Sequence, residues 1–358
     1  MAVTVDVRHG GGAYPVLIEA GLVRRLPELV DQYLPGRRVA VITDRTVARA
    51  ISHGLEVPTL VIAPGEGSKT RGRWSALTDR LQSLGFGRDA GIIALGGGVV
   101  GDLAGFVAST YLRGIPWIQV PTSLLAMVDA SVGGKTGVNT PEGKNLVGAF
   151  HPPVAVAADP EALRSLHRDH VAAGLVEAVK HGVVADAEYF EWIERHGDAL
   201  LALEADPITE LIAQSVRIKG AIVSEDERES GRRAVLNAGH TIGHAVERVS
   251  GYSMLHGDAV AVGLVAEAEL AHRAGLADAT LAERIAALLQ RFDRPVRVDS
   301  AWPPDRLLDA MQHDKKVRDG AIRFALPNTL GVMARDETAW TIAVPRDLIH
   351  AVLSESGH

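Results

Sequence analysis

The sequence predicts an α/β protein in two parts, an α/β domain over residues 1–155 and an all-α domain over residues 156–358. Three observations predict it. Short β-branched runs alternate with helical spacings through the first half. Several of those runs end in glycine or in a small polar residue, as strands of an open parallel sheet do where they meet a ligand. After about residue 155 strand signals nearly vanish and long helical periodicities replace them.

In order along the chain, "VTVDV" and "YPVLIEA" read as short strands flanking the "HGGG" turn. "RRVAVITD" is an apolar, β-branched run closed by Asp44, and "PTLVIA" is another that leads into "PGEGSKT". "RGRWSALTDRLQSLGFG" has helical spacing and glycine stops. "AGIIALGGG" has the pattern of a buried strand, and "PWIQVPTS" is one more strand. "PEALRSLHRDHVAAGLVEAVKHGVVAD" reads as one long helix with Pro160 near its start. "DPITELIAQSVRIKGAIVSEDE" and "AVAVGLVAEAELAHRAG" read as two more. "GKNLVGAFHPP", residues 143–153, sets Lys144 beside Asn145 just before the expected boundary, where a bland turn or the polar floor of a cleft would each fit.

Composition narrows the function classes. The 358 residues leave room for two cores, and 47% of them are hydrophobic. Lys plus Arg number 37 against 44 Asp plus Glu, a formal charge of -7, which speaks against a nucleic-acid binder. Cysteine is absent, so disulfides, thiolate metal sites and a cysteine nucleophile are excluded. No signal peptide and no membrane span are expected, and a cytoplasmic protein is the default.

Three groups of residues carry chemistry. "GGGVVG", residues 96–101, fits G-x-G-x-x-G directly after a predicted strand, where glycines would let the backbone approach a pyrophosphate. A plain tight turn also fits, and the match lies far from the N-terminus. Asp44 at an earlier strand end could bond ribose hydroxyls, with Glu66, Lys69, Thr122 and Ser123 at others. Second, "NAGHTIGH" puts His240 and His244 four apart on one helical face, "LHGDAV" adds His256, and "GLVEAVKHG" adds Glu177 and Lys180. Two imidazoles and a carboxylate can hold Zn²⁺ with a position left open. A helical histidine pair also arises by chance in a chain with 14 histidines, and Asp258 is a competing oxygen ligand. Third, Lys219, Arg232, Arg233 and Asn237 precede His240, and Arg233, Asn237 and His240 have helical spacing. With Lys135, Lys144, Asn145 and Lys180 they suit a phosphorylated, hydroxyl-rich substrate, although a run such as "ERESGRR" is more commonly a solvated face.

Taken together, "GGGVVGDLAGF", "QVPTSLLAMVDASVGGKTGVNTPEGKNLVGAFHPP", "GLVEAVKHG", "DERESGRRAVLNAGHTIGHAVE" and "LHGDAVAVG" resemble 3-dehydroquinate synthase. The likeness extends from the strand before Asp44 to "HDKKVRDGAIRFALP". It implies a Rossmann-like nucleotide-binding domain followed by an all-α metal- and substrate-binding domain, the dehydroquinate synthase-like fold, in a homodimer. It implies conversion of 3-deoxy-D-arabino-heptulosonate 7-phosphate to 3-dehydroquinate and phosphate in the shikimate pathway. The steps implied are oxidation, β-elimination, reduction, ring opening and intramolecular aldol closure, with NAD and Zn²⁺ or Co²⁺ as cofactors. Carried over by position, the metal ligands would be Glu177, His240 and His256. The nucleotide would meet Asp44, Glu66, Lys69, Gly98, Val99, Val100, Gly101, Asp102, Thr122, Ser123, Lys135 and Lys144. Catalytic and substrate contacts would be Asp129, Lys135, Lys144, Asn145, Lys180, Lys219, Arg233, Asn237, His244 and Lys315. Many family members have Glu at the position of Asp258 and a second Thr at that of Ser123. The rival readings are a related sugar-phosphate cyclase and a metal-dependent polyol dehydrogenase of the same architecture.

Overall fold

The computed structural model describes residues 2–312 and 321–355. The chain divides into two compact units, Met1–His167 with Leu203–Ser224, and Arg168–Ala202 with Glu225–His358.

The first unit is built on a seven-stranded sheet. Its strands are β1 (Val3–His9), β2 (Gly12–Ile18), β3 (Arg38–Asp44), β4 (Thr59–Ile62), β5 (Ala90–Gly96), β6 (Trp117–Pro121) and β9 (Ala155–Ala158). They lie in the order β1-β2-β9-β6-β5-β3-β4. Only the β1–β2 hairpin is antiparallel. Period-two alternation sorts the side chains: Ile42, Ile92 and Ala94 join one apolar cluster, and Val41, Ile93 and Leu95 join the other. Helices α3 (Arg71–Ser83) and α4 (Gly98–Thr110) supply Leu77, Leu81, Leu103 and Val107 to the first, while α1 (Leu26–Tyr33) supplies Leu26 and Leu29 to the second. Coverage of both faces explains why β5 is buried at every residue and reads as an unbroken apolar run. The short helix α2 (Arg45–Ala50) follows β3. β7 (Lys135–Thr140) and β8 (Gly143–Phe150) form a separate hairpin. Because β9 lies in the middle of the sheet, this unit continues past residue 155.

The region from Pro160 to Ala185 is not one helix. A 3-10 turn spans Pro160–Ser165, Leu166 is extended, and α5 begins at Arg168 (Arg168–Ala185). The break is held by Asp159, whose carboxylate accepts from Glu161 N and also from Gly21 N and Val23 N, at 2.9–3.0 Å. Next come α6 (Ala187–Leu201) and α7 (Ala205–Glu225), whose residues 205–224 belong to the sheet unit.

In the second unit α5 and α6 join α8 (His240–Val249), α9 (His256–Arg273), α10 (Ala279–Arg291), α11 (Pro304–Gln312) and α12 (Arg346–Glu355). Glycines set how closely three of them approach. A methyl group on Gly257 of α9 would lie 2.2 Å from Ala173 O of α5, and one on Gly243 of α8 would lie 2.9 Å from Ala259 O of α9. α8, α9, α11 and α12 enclose an apolar core that includes Ile242, Val262, Leu307 and Val352. Among the described residues, no helix is long and apolar enough to cross a membrane.

Candidate active site

In the sheet unit the candidate nucleotide residues stand where strands end. β5 runs into Gly97, which begins α4 with no side-chain cap. A methyl on Gly101 would meet Gln119 Nε2 at 2.3 Å, and one on Gly97 would meet Ser123 Oγ at 3.2 Å, so this helix start packs closely on the side-chain ends of Gln119 and Ser123. The first-turn N–H groups of Gly98, Val99 and Val100 precede the first helical acceptors and suit an anionic group. Asp44 caps α2, its Oδ1 accepting from Thr46 N at 2.7 Å and Val47 N at 3.0 Å. Thr122 N donates to Gly96 O at 3.0 Å, and Ser123 Oγ accepts from Ala126 N at 3.4 Å. Lys69 is buried, with Nζ 2.5 Å from Asp102 Oδ2 and 3.9 Å from Glu66 Oε1. Burial pushes the Asp102 carboxyl up, against the pull of Lys69. Asp129 lies in a π-helical turn, and Lys219 on α7 reaches it, 2.9 Å from Oδ1 and donating to its carbonyl at 2.6 Å.

Lys135 opens β7, exposed, while Lys144 and Asn145 lie in an irregular stretch of β8. Between the pairs Val138↔Val147 and Thr140↔Gly143, β7 contributes one residue, Asn139, and β8 contributes three, Lys144, Asn145 and Leu146. The adjacent lysine and asparagine are thus a bulge, with Asn145 at a left-handed φ of 58°.

In the helical unit, Glu177 on α5, His240 at the first position of α8 and His256 at the first position of α9 converge. One ligand atom from each lies within 4.8 Å of the others. Glu177 is fully buried; its Oε1 is 3.6 Å from His240 Nε2 and 3.3 Å from His256 Nε2. The far nitrogens are held as well, His240 Nδ1 at 3.1 Å from Ala238 O and His256 Nδ1 at 3.4 Å from Glu247 Oε1. This arrangement turns both Nε2 atoms toward Glu177, as outer-shell partners do for ligating imidazoles. Lys180, one turn from Glu177, pairs with its Oε2. Burial and the Lys180 charge push His240 well below the ordinary imidazole value. For His256 burial acts downward, but the carboxylates of Glu177 and Glu247 outweigh it and raise the group to about 9.

His244 stands beside this cluster, its ring edge-on to His240 at 5.3 Å and 6.3 Å from that of His256. Asp258 is elsewhere engaged: Oδ1 accepts from Arg294 at 2.8 Å. Arg233 and Asn237 lie in a 3-10 turn, Arg232–Asn237, and not on the helix of His240. Gly239, at φ 76°, separates the two, and Glu267 caps α8 by accepting from Gly239 N, Thr241 N and Ile242 N at 2.7–3.0 Å. Asp226 accepts from Ser230 N, Gly231 N and Arg233 N, the Arg233 guanidinium donates to Glu227 O, and Asn237 Nδ2 donates to Glu229 Oε1 at 2.5 Å. The "DERESGRR" stretch is therefore a folded loop that holds Arg233 buried. Lys315 falls outside the described residues.

The N-terminal model of 3-dehydroquinate synthase matches residues 59–173, and the C-terminal model matches residues 174–317. The chain belongs to the 3-dehydroquinate synthase family. The family relative from Symbiobacterium thermophilum is 44% identical over 329 residues, covering 89% of this chain and 92% of the relative. Two solved structures are also similar. A 2-deoxy-scyllo-inosose synthase complexed with carbaglucose-6-phosphate, NAD⁺ and Co²⁺ has a TM-score of 0.89 at 27% identity, covering 99% of this chain and 100% of that one. The 2-epi-5-epi-valiolone synthase from Streptomyces hygroscopicus subsp. jinggangensis, with NAD⁺ and Zn²⁺ bound, has a TM-score of 0.85 at 29% identity, each chain covered to 96%.

Sequence reasoning within this family missed the residues that hold the candidate ligands. Glu247 lies seven residues after His240 and Glu267 eleven after His256, spacings that keep each pair on one helical face. That periodicity was a usable signal. Asn139 left none, because its partners, Glu66 and Asn145, come from other segments.

Proposed function

We propose that this chain acts as a 3-dehydroquinate synthase, a phosphorus–oxygen lyase that converts 3-deoxy-D-arabino-heptulosonate 7-phosphate to 3-dehydroquinate and phosphate in the shikimate pathway. The observation that carries this reading is the Glu177–His240–His256 cluster in a chain 44% identical to a 3-dehydroquinate synthase over 89% of its length.

The donor set fits a divalent metal such as Zn²⁺ or Co²⁺: two imidazoles oriented by their far nitrogens and one buried carboxylate, three protein ligands that would leave coordination positions for substrate oxygens. The α4 start, with its uncapped N–H groups and close glycine packing, fits the pyrophosphate of NAD⁺. When bound, the nucleotide supplies reversible oxidation of the substrate and the metal supplies Lewis acidity.

The chain's own residues bind and orient. Asp44, Glu66, Lys69, Asp102, Thr122 and Ser123 serve the nucleotide. Arg233, Asn237, His244, Lys180 and Lys144 provide charge and hydrogen bonds for phosphate and hydroxyls, with Asp129, Lys135, Asn145, Lys219 and Lys315 completing the set. Lys180, 1% exposed and paired with Glu177 Oε2, sets a buried cation beside the candidate ligands, where charges interact more strongly than in water. The enzyme works as a homodimer; exposed Leu146 and Phe150 on β8 offer apolar surface for a second copy. We place it in the cytoplasm, where phosphorylated sugars and nicotinamide nucleotides are retained.

The test supplies the heptulosonate phosphate with NAD⁺ and metal, and follows inorganic phosphate, carbocyclic product and NADH absorbance together. Phosphate and 3-dehydroquinate should appear in step with no accumulating NADH. NADH rising with product would indicate a polyol dehydrogenase. Turnover only on a heptulose or hexose phosphate would indicate a related cyclase.

A further inference from the structure

We infer that Asn139 is a positioning residue that locks the Lys144–Asn145 bulge to the Glu66 carboxylate. The inference rests on the reading of Glu66 and Lys69 as nucleotide contacts. Asn139 is the single residue of β7 facing the three bulged residues of β8, where regular ladder pairing is lost. Its side chain replaces part of that pairing: Oδ1 accepts the backbone N–H of Asn145 at 3.0 Å. That bond falls on a residue at a left-handed φ of 58°, a conformation that asparagine adopts more readily than most residues other than glycine. The other end of the amide is used too, Nδ2 donating to Glu66 Oε1 at 2.7 Å. The backbone of Asn139 completes the link, its N–H donating to Lys69 O at 2.8 Å beside a parallel bridge to Thr70.

One amide thus joins two segments far apart in sequence, the loop of Glu66 and Lys69 and the hairpin that presents Lys144 and Asn145. Only a side chain with a donor and an acceptor a few ångströms apart can make both bonds. An aspartate would keep the acceptor for Asn145 but set a second carboxylate against Glu66. The two would then tolerate each other only by sharing a proton, which favours acidic pH. Asn139 need not touch either ligand. It would act by fixing the carboxylate that meets the nucleotide and the bulge that presents Asn145.

The test uses the full metal-loaded chain as wild type, Asn139→Ala and Asn139→Asp, with NAD⁺ titrations at pH 6 and pH 8, steady-state kinetics at saturating NAD⁺, and Tm. Asn139→Ala, which loses both bonds, should weaken NAD⁺ binding by about tenfold or more and lower kcat as well. Asn139→Asp should keep kcat within about threefold of wild type while binding NAD⁺ poorly at pH 8 and recovering at pH 6. A merely structural role would shift Tm without separating these effects. NAD⁺ affinity and kcat of Asn139→Ala within about twofold of wild type would overturn the inference, as would equal, pH-independent losses in both variants. If wild type itself fails to bind NAD⁺, the underlying nucleotide reading falls and the inference with it.

Discussion

His240 and His244 lie four residues apart on α8, and spacing alone treats them alike. In the structure the ligand atoms of His240, His256 and Glu177 cluster, while His244 stands at the side. Removing a ligand cuts three protein groups to two, whereas removing a substrate contact spares the metal. His240→Ala should purify largely metal-free. His244→Ala should keep nearly full metal and lose about 2–4 kcal/mol of transition-state stabilisation, seen as slow phosphate release. Metal analysis of both purified variants decides the matter; equal metal loss would make His244 a ligand. His256 permits a second prediction. Its carboxylate neighbours raise it to about 9, so the metal-free protein carries a proton there at neutral pH. A raised imidazole contributes stability that is complete below the ordinary value of 6.5 and fades as pH rises through about 9. Metal must displace that proton, so binding at pH 7.5 should release about one proton per ion. Calorimetry in buffers of different ionisation heat measures it, and Glu247→Gln should shrink the release.

At the scale of elements, the candidate metal cluster depends on how closely helices touch. Glu177, His240 and His256 come from α5, α8 and α9, and their approach rests on Gly257 against Ala173 O and Gly243 against Ala259 O. A backbone oxygen cannot move aside as a flexible side chain can. Gly257→Ala, with its new methyl 2.2 Å from Ala173 O, should push α9 from α5, destabilise the helical unit by about 1–3 kcal/mol, and reduce metal content. A variant with unchanged Tm and full metal would show that this contact does not set the cluster. The β7–β8 bulge acts similarly for Lys144 and Asn145, because an irregular ladder turns side chains that a regular strand would alternate.

For the whole molecule, the candidate metal and nucleotide groups divide between two compact units. The three candidate metal ligands all belong to the helical unit, and the glycine-rich α4 start, Asp44 and Lys69 belong to the sheet unit. A ligand stabilises the structure that forms its site. In hydrogen-exchange mass spectrometry, metal alone should protect α5, α8 and the start of α9 most strongly. NAD⁺ alone should protect the ends of β3 and β5 and the first turn of α4. Equal protection of both units by metal alone would contradict this division.

Much of this was legible in the residues. The sheet-then-helix order, the buried β5 run, the glycines before α4 and the histidine pair on α8 are local patterns, and local patterns follow from side-chain period and backbone freedom. Motif blocks also carried the family, which both halves of the chain match. Other features were decided only in three dimensions. The helical spacing of Arg233, Asn237 and His240 did not survive, because a carboxylate from α9 caps a new helix after Gly239. The expected single helix from Pro160 broke because Asp159 bonds to Gly21 and Val23. The helical face of Glu247 was readable, but its pairing with His256 of another helix, like that of Asn139 with Glu66, depends on packing. Sequence by itself determined which chemical groups were present and which elements carried them. Tertiary structure decided which groups hold the others in place, since hydrogen bonds and close helix contacts between distant segments exist only once those segments pack.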